Sequence, residues 1–234
     1  MKNITALLLL FGLLSGCSVE ESKDAEIIIP KDIKHKELAE PGPMIPPVPA
    51  IVLGLKGDST HSDILSVAWT FVLEGHPALV GISVTNKINE AGDPYYVETF
   101  LREDREFTLN VPDASWVEAF DDIDMSGYVW EDKFAKNNLT RLRSVLIDAP
   151  GIKEAAIILE CKVVAYYKLP PKRTVFFAEV VRVITHEDVT DENGRLISDS
   201  RDFFGMASGN GEFLTFGKKI GHIGMTKGRD DIKY

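Results

Sequence analysis

The chain has 234 residues, of which 44% are hydrophobic, and it carries a formal net charge of −10 at pH 7. This length and apolar content suit one ordinary globular core. The acidic balance argues against binding to a phosphate backbone, so we expect no nucleic acid among the partners of the protein.

The N-terminus has the features of a lipoprotein export signal. Lys2 precedes an apolar run over residues 6–14, and residues 14–17 read Leu-Ser-Gly-Cys, the form of a lipobox. The run is too short for a membrane span, which needs about 20 apolar residues. We expect residues 1–17 to act as the signal and Cys17 to carry the lipid. The domain would then lie outside the cytoplasm, in the cell envelope, anchored to the outer membrane or to the outer face of the cytoplasmic membrane.

The stretch that follows the signal predicts a tether. Residues 18–46 are charged, poor in aromatic side chains and rich in proline towards their end. Such a composition cannot bury enough apolar surface to fold by itself. We expect a flexible segment over 18–46 and one folded domain over 47–234.

The folded part is dominated by runs with strand character. These runs are rich in β-branched and aromatic residues, are bounded by Gly, Pro, Asp or Asn, and cover residues 50–55, 64–73, 78–85 and 106–111. Residues 156–169 and 174–184 form a pair separated by a Pro-Pro-Lys-Arg turn, which predicts a long hairpin. In the first strand of that pair, Cys161 and Val163 fall on the apolar face, whereas Glu160 falls on the polar one.

Two short helical patches interrupt the strands. One covers residues 113–122, with Asp113 as its N-cap, and the other covers residues 131–137. The acidic run within residues 118–124 reads as a solvated helix face. Mostly antiparallel strands with few helices favour a closed or half-closed barrel, because closure removes exposed sheet edges.

A distinctive block lies at residues 126–140, which read SGYVWEDKFAKNNLT. The order SG, spacer, DKFAK, two residues and LT resembles a flavin-contacting loop and helix in the FMN-binding split-barrel proteins. This is the flavin reductase-like family, which includes the flavoredoxins. The resemblance implies FMN as the cofactor, with Ser126, Gly127, Lys133 and Phe134 beside it.

A second block, residues 63–84, resembles the second and third strands of the same family. In relatives the backbone of the first of these strands runs along the flavin ring. The resemblance therefore assigns the ring edge to Leu65, Ser66, Val67, Ala68 and Trp69. Ser83 on the next strand joins the candidate set. The likeness extends from about residue 47 to 226 and implies a mainly β fold, the FMN-binding split β-barrel, a Greek-key-like antiparallel barrel with a few short helices.

The match breaks over residues 85–100. Relatives carry an Arg there, with a Ser or Thr, to bind the FMN phosphate, whereas this chain is longer and has no arginine in the segment. Burying a phosphate without donors is costly. We expect Thr85, Lys87 and Thr99 to replace them, with Lys133 assisting from the start of its helix.

The resemblance and the export signal together predict a membrane-anchored, FMN-binding redox protein that transfers electrons in the manner of flavoredoxins. The chemistry would belong to the flavin, so no catalytic side chain is expected. Two alternatives stay open: a non-catalytic surface module that binds flavin, heme or a partner, and an NAD(P)H-dependent flavin reductase. Export argues against the second, since NAD(P)H is not expected outside the cytoplasm. A redox partner protein is the expected source or acceptor of electrons.

We also derive expectations for the oligomeric state, for metal binding and for Cys161. Relatives are homodimers with the flavin at the subunit interface, so the resemblance also implies a homodimer. The five histidines are scattered without the spacing of metal ligands, and we expect no metal site. Cys161 is interpreted as a buried strand residue rather than a redox thiol.

Overall fold

The computed structural model of the protein describes residues 34–37, 39–40, 42–45, 47–56, 64–85, 96–126 and 131–228. The chain divides into two units, Met1–Pro41 and Gly42–Tyr234. The predicted export signal, with Cys17, and most of the predicted tether lie outside the described residues. The residues described in the first unit form no helix or strand.

The second unit is mainly β, as predicted, and its described residues include three short α-helices. Its strands are β1 Val48–Pro49, β2 Ile51–Gly54, β3 Ile64–Val67, β4 Thr70–Glu74, β5 Leu79–Thr85, β6 Glu106–Val111, β7 Arg141–Leu142, β8 Gly151–Ile152, β9 Ile157–Leu169, β10 Arg173–Thr185, β11 Phe204–Met206 and β12 Phe213–Thr215. Its helices are α1 Tyr96–Glu103, α2 Val117–Met125 and α3 Lys133–Lys136, and 3₁₀ turns cover Ala114–Trp116, Glu187–Val189 and Met225–Lys227. No helix of the described residues is both long enough and apolar enough to cross a membrane.

The main sheet closes on itself. It has seven strands in the order β3-β2-β6-β9-β10-β5-β4, and all neighbouring pairs are antiparallel. Its two outermost strands, β3 and β4, are consecutive in the chain, separated by Ala68 and Trp69. The Ser83 N–H donates to the Trp69 carbonyl at 2.8 Å, next to the β4–β5 ladder. The strand predicted over residues 64–73 is therefore bent, and the bend joins the sheet edges into a barrel.

Two apolar clusters lie on opposite faces of this sheet. Ile51 and Leu53 of β2 belong to the first cluster, and Val52 between them belongs to the second, as the period of two in a strand requires. The first cluster fills the barrel and includes Phe107 and Phe176. Each buried side chain of this size stabilises the fold by about 1.5–3 kcal/mol. The second cluster packs α2 and α3 against the outside of the barrel.

Strands β9 and β10 form the predicted long hairpin. The predicted alternation holds for Cys161 and Val163, which are buried in the first cluster. Glu160, however, lies on the predicted polar face and is fully buried. Glu160 is buried because a loop lies over it: the backbone N–H groups of Val145 and Leu146 in that loop donate to its carboxylate.

The two predicted helices form where they were expected, but their lengths differ from the prediction. Asp113 is an N-cap, as predicted: it accepts a hydrogen bond from the Ser115 N–H at 3.0 Å, at the 3₁₀ turn that leads into α2. Helix α3 is shorter than the predicted 131–137 and is capped by Asp132, which accepts from the Ala135 N–H. Helix α1 was not predicted, and neither were the small sheets β1-β11-β12 and β7-β8.

Candidate functional site

A cavity of about 270 Å³ opens at the bend between β3 and β4. This volume is just below the range for small-molecule sites, about 300–1,000 Å³. Its walls come from β3, the bend, β5, α1, α2, β10, β11 and β12. The lining residues are Leu65, Ser66, Val67, Ala68, Trp69, Ser83, Val84, Thr85, Val97, Phe120, Ile123, Asp124, Arg173, Met206 and Phe213.

The structure brings many of the predicted candidates together at this cavity. The five residues proposed for the ring edge line it, and so do Ser83 and Thr85 from β5. Ser83 and Thr85 are two positions apart on one strand, so their side chains point to the same face. These seven residues therefore line one cavity, and their binding of a ligand stays a prediction.

Other candidates lie elsewhere or cannot be placed. Lys87 and Gly127 are outside the described residues, and Thr99 belongs to α1 but its side chain is outside them too. Ser126 accepts a hydrogen bond from the Lys136 ammonium at 3.1 Å, and Phe134 is buried in the second apolar cluster. Neither Ser126 nor Phe134 is among the residues that line the cavity.

Lys133 has a different position from the one predicted. Its side chain is fully buried, and Nζ donates to Ile123 O at 2.9 Å and to Ile64 O at 3.3 Å. Burial lowers the pKa of Lys133 to about 8, although nearby carboxylates, including Asp124, act in the opposite direction. A fully buried ammonium is not positioned to contact a phosphate in the cavity. The structure thus replaces the predicted phosphate contact with a link between α2 and β3.

Asp124 contributes a carboxylate to the cavity wall. The Ser66 hydroxyl donates to Asp124 Oδ1 at 2.5 Å, which ties the end of α2 to β3. The interpretation of residues 118–124 as a solvated helix face missed this role. The helical pattern gives the face of α2 on which Asp124 lies, but not what packs against that face.

Arg173 is the functional candidate that the sequence reasoning missed. Its Nε donates to Ser83 Oγ at 2.8 Å, Nη2 donates to Ser83 O, and its Cζ lies 5.6 Å from the centroid of the Trp69 ring. Among the described residues that line the cavity it is the only basic one. In the sequence it reads as the last residue of a turn. Only the pairing of Arg173 with Thr85, between β10 and β5, reveals its position, and that pairing has no local signal.

The cavity combines an apolar wall with a few fixed polar groups. Its apolar lining includes Leu65 and Val67 from the barrel interior and Phe213 from the outer face, and the Ser66–Asp124 and Ser83–Arg173 pairs contribute donors and acceptors. This combination is typical of sites for small molecules and cofactors, in which polar groups fix the orientation of a largely apolar ligand. Across the described ranges, no group of three His, Cys, Asp or Glu side chains is arranged to hold a metal ion.

Comparison with protein families decides the relationship. Residues 47–206 match the profile of the Flavin reductase like domain, which is more than half of the chain. The chain belongs to this family. The flavin reductase-like match includes β3, the bend, β5 and Arg173, and therefore most of the cavity wall. Phe213 lies beyond it.

Individual proteins also resemble the chain in sequence or in fold. An uncharacterized protein of Archaeoglobus fulgidus is 29% identical over 129 residues, which cover 54% of this chain and 66% of that protein, just under two thirds of its length. The structure of flavoredoxin from Desulfovibrio vulgaris (Miyazaki F) superposes with a TM-score of 0.69 at 21% identity, over 81% of this chain and 97% of that chain. A structure from Shewanella frigidimarina with a split barrel domain has a TM-score of 0.63 at 18% identity, over 75% and 85% of the two chains. These likenesses confirm the predicted split-barrel fold.

Proposed function

We propose that the protein binds FMN in the cavity at the β3–β4 bend and uses it for redox chemistry. The observation that carries this proposal is the convergence of residues 65–69 with Ser83 and Thr85 on one cavity, in a flavin reductase-like domain. The donor set suits a flavin, because the apolar wall can pack against a flat ring while hydroxyl and backbone groups contact its polar edge.

The choice of FMN over FAD follows from the resemblance to FMN-binding relatives. An FMN-binding protein from Thermus thermophilus shares the fold (TM-score 0.58, 17% identity, 80% of this chain and 96% of that chain). So does an NADH:FAD oxidoreductase from Streptomyces globisporus (TM-score 0.56, 19% identity, 74% and 87%). FAD is FMN with an additional adenylate, and we propose FMN because residues 126–140 resemble the flavin-contacting block of FMN-binding relatives.

In this proposal the protein's own residues bind and orient the cofactor. Leu65 and Val67 border the cavity from the barrel interior, Phe213 borders it from the outer face, and Ser83 and Thr85 offer hydroxyl groups to the polar part of the molecule. The flavin supplies electron or hydride transfer when it is bound. No side chain of the cavity is required as a catalytic acid or base.

The proposed location comes from the lipobox. Lipid on Cys17 would hold the domain at the cell envelope outside the cytoplasm, where the flavin would exchange electrons with a protein or a membrane carrier rather than with NAD(P)H. A non-catalytic binding module and an NAD(P)H-dependent reductase are the alternatives. Radiolabelled palmitate should enter the wild-type chain and not a Cys17→Ala variant, and equal labelling of both would contradict the anchor.

We also propose a homodimer, which the exposed apolar surface of the barrel supports. Phe71 on β4 and Tyr167 on β9 are 41% and 61% exposed. Phe71 lies opposite Gly81, and Tyr167 lies opposite Val175, which in turn lies opposite Ser83, so the register places both side chains on one face of the sheet. Surfaces of this kind often mark association sites. Light scattering should give twice the chain mass for the wild type and the single-chain mass for a Phe71→Lys, Tyr167→Lys variant. A monomeric wild type would contradict the dimer.

The central experiment is reconstitution. The full chain, extracted in detergent, is unfolded to remove bound ligands and refolded with excess FMN, with excess FAD or without flavin. After removal of free ligand we expect the visible absorbance of flavin at close to one FMN per chain, with less FAD. A refolded chain with a native circular dichroism spectrum and no bound flavin would overturn the proposal.

Reduction of the loaded protein separates the functional alternatives. We expect the bound flavin to be bleached by dithionite, and to resist bleaching by NADH or NADPH at concentrations that saturate ordinary reductases. Fast bleaching by either nucleotide would identify an NAD(P)H-dependent reductase. Resistance to dithionite would identify a non-catalytic module.

A further inference from the structure

Arg173 is held in a fixed orientation at the cavity. It is the first residue of β10 and lies opposite Thr85 of β5 in the antiparallel register. Residues opposite each other in such a pair have Cβ atoms about 4.5–5.5 Å apart, so the Thr85 side chain lies next to the Arg173 side chain.

Two kinds of contact fix the plane of the guanidinium. Both Nε and Nη2 donate to Ser83, to its hydroxyl and to its carbonyl oxygen. The group also lies over the ring of Trp69, at 5.6 Å from the centroid, within the range of a cation–π contact. An arginine oriented in this way loses little further freedom when it binds a ligand.

The charges of the cavity differ from one part to another. The negative charge of Asp124 lies at Ser66, whose hydroxyl donates to it, and the positive charge of Arg173 lies over the ring of Trp69. Ser66 lies on β3 and Trp69 lies three positions later in the bend, at most about 10 Å away along the chain. A ligand with one anionic group would therefore place that group at the Trp69 end and away from the Asp124 carboxylate.

We propose that Arg173 is the phosphate-binding residue of this cavity, beside Thr85, whose hydroxyl donates to Lys172 O at 3.3 Å. A guanidinium presents its N–H donors in a planar fork that matches the oxygens of a phosphate. The phosphate belongs either to the flavin itself or to a second ligand bound beside the flavin. The inference rests on the proposed function, and it supplies from β10 the arginine that the segment 85–100 lacks.

The test compares two flavins that differ only in the phosphate. Dissociation constants for FMN and for riboflavin are measured by flavin fluorescence for the wild type, Arg173→Ala, Arg173→Lys and Lys172→Ala. Lys172 is the matched control, because it is exposed on the same turn, carries the same charge and does not line the cavity.

We expect the wild type to prefer FMN over riboflavin by about 10- to 100-fold, the range for a hydrogen-bonded charged pair. Arg173→Ala should remove this preference and leave the riboflavin affinity unchanged. Arg173→Lys should keep part of it, and Lys172→Ala should keep nearly all of it. Unchanged riboflavin binding shows that the cavity of the variant is intact.

A second measurement separates the two sources of the phosphate. Inorganic phosphate is titrated into riboflavin-loaded wild type and Arg173→Ala protein, and the flavin spectrum is followed. A retained FMN preference in Arg173→Ala, with a loss of the response to inorganic phosphate, would assign Arg173 to a second ligand. If the variant kept both the preference and the response, the inference would be overturned.

Failure of the proposed function has its own outcome. If the wild type binds neither flavin, inorganic phosphate is titrated into the flavin-free chain and followed by tryptophan fluorescence, since Arg173 lies over Trp69. A response that Arg173→Ala abolishes would support Arg173 as an anion site without a flavin. No response in the wild type would reject both.

Discussion

The Lys133 ammonium donates to the Ile123 carbonyl oxygen of α2 at 2.9 Å and to the Ile64 carbonyl oxygen of β3 at 3.3 Å. It therefore joins the helix and the strand that form two walls of the cavity. The side chain is fully buried, and this burial lowers its pKa to about 8 from an ordinary value of 10.5. In the folded protein the ammonium is thus easier to deprotonate than in the unfolded chain.

This difference predicts how stability depends on pH. Below pH 8 both states hold the proton, and the folded state carries the cost of a buried charge. Between pH 8 and 10.5 the unfolded state binds more protons, so the free energy of unfolding rises with pH, by up to about 3 kcal/mol.

Lys133→Met should abolish that rise, whereas Lys136→Met on the same helix should retain it. The measurement is urea denaturation at several pH values. The free energy of unfolding of each variant is subtracted from that of the wild type, so that the contributions of other titrating groups cancel. Parallel curves for wild type and Lys133→Met between pH 8 and 10.5 would contradict the prediction.

Glu160 is predicted to hold the loop over β9. Its buried carboxylate accepts hydrogen bonds from Val145 N, Leu146 N and Arg182 Nη1 at 3.1, 2.9 and 2.8 Å. Burial raises the pKa of Glu160, but these donors outweigh it and hold the pKa below the ordinary 4.5. Glu160→Gln should lower the free energy of unfolding by about 3 kcal/mol at neutral pH.

The pH dependence of the Glu160 effect has a definite sign. A lowered carboxylate pKa stabilises the fold above pH 4.5, and this stabilisation is lost as the pH falls below that value. The gap between wild type and Glu160→Gln in thermal unfolding should therefore narrow in acid. Glu179→Gln, at an exposed position of β10, is the control and should change stability by less than about 0.5 kcal/mol. A gap that stays constant down to low pH would argue against the proposed role.

Gly54 is predicted to tolerate no side chain. A Cβ at this position would overlap Thr108 Oγ1 and Pro150 O. The Thr108 hydroxyl donates to that same carbonyl oxygen at 2.7 Å, so neither group can move without weakening the bond. Gly54→Ala should cost about 1–3 kcal/mol. Gly209→Ala is the control, because its Cβ would meet nothing nearer than 3.8 Å. Equal urea midpoints for the two variants would contradict this prediction.

Cys161 is predicted to be inert in the native protein. Its thiol is fully buried on β9, and burial raises the pKa of Cys161 above its usual range. A thiol reagent at pH 8 should modify no Cys161 until denaturant is added, and then one thiol per chain. Two reactive thiols in denaturant would mean that Cys17 is not lipidated, and rapid reaction in the native state would contradict the burial.

Local patterns predicted the parts of the fold that depend on nearby residues. Strand β6 has the predicted bounds, Glu106–Val111, and the β9–β10 hairpin differs from the prediction by one residue at its ends. Alternation along a strand and prolines in a turn are local signals. The bend at Ala68 and Trp69 has no such signal, because residues with strand character continue through it.

The cavity required information that no local pattern carries. The resemblance located residues 65–69 and Ser83, whose positions depend on strands that the family shares. Arg173 depends on the register between β5 and β10. Lys133 begins a short helix, where anions commonly bind, and this suggested a phosphate contact. Its actual role depends on how α2 packs against β3, which the sequence around Lys133 does not encode.

The bent stretch made of β3, Ala68, Trp69 and β4 both completes the barrel and lines the cavity. Ser83 and Arg173, which meet at this cavity, are 90 residues apart in the chain. Contacts so distant in sequence form late, after the intervening chain has been ordered. A chain still being synthesised therefore lacks this side of the cavity until residue 173 has emerged and paired with β5. If the proposed flavin binds there, it can enter only after that step, as a late event of folding and not as a template for it.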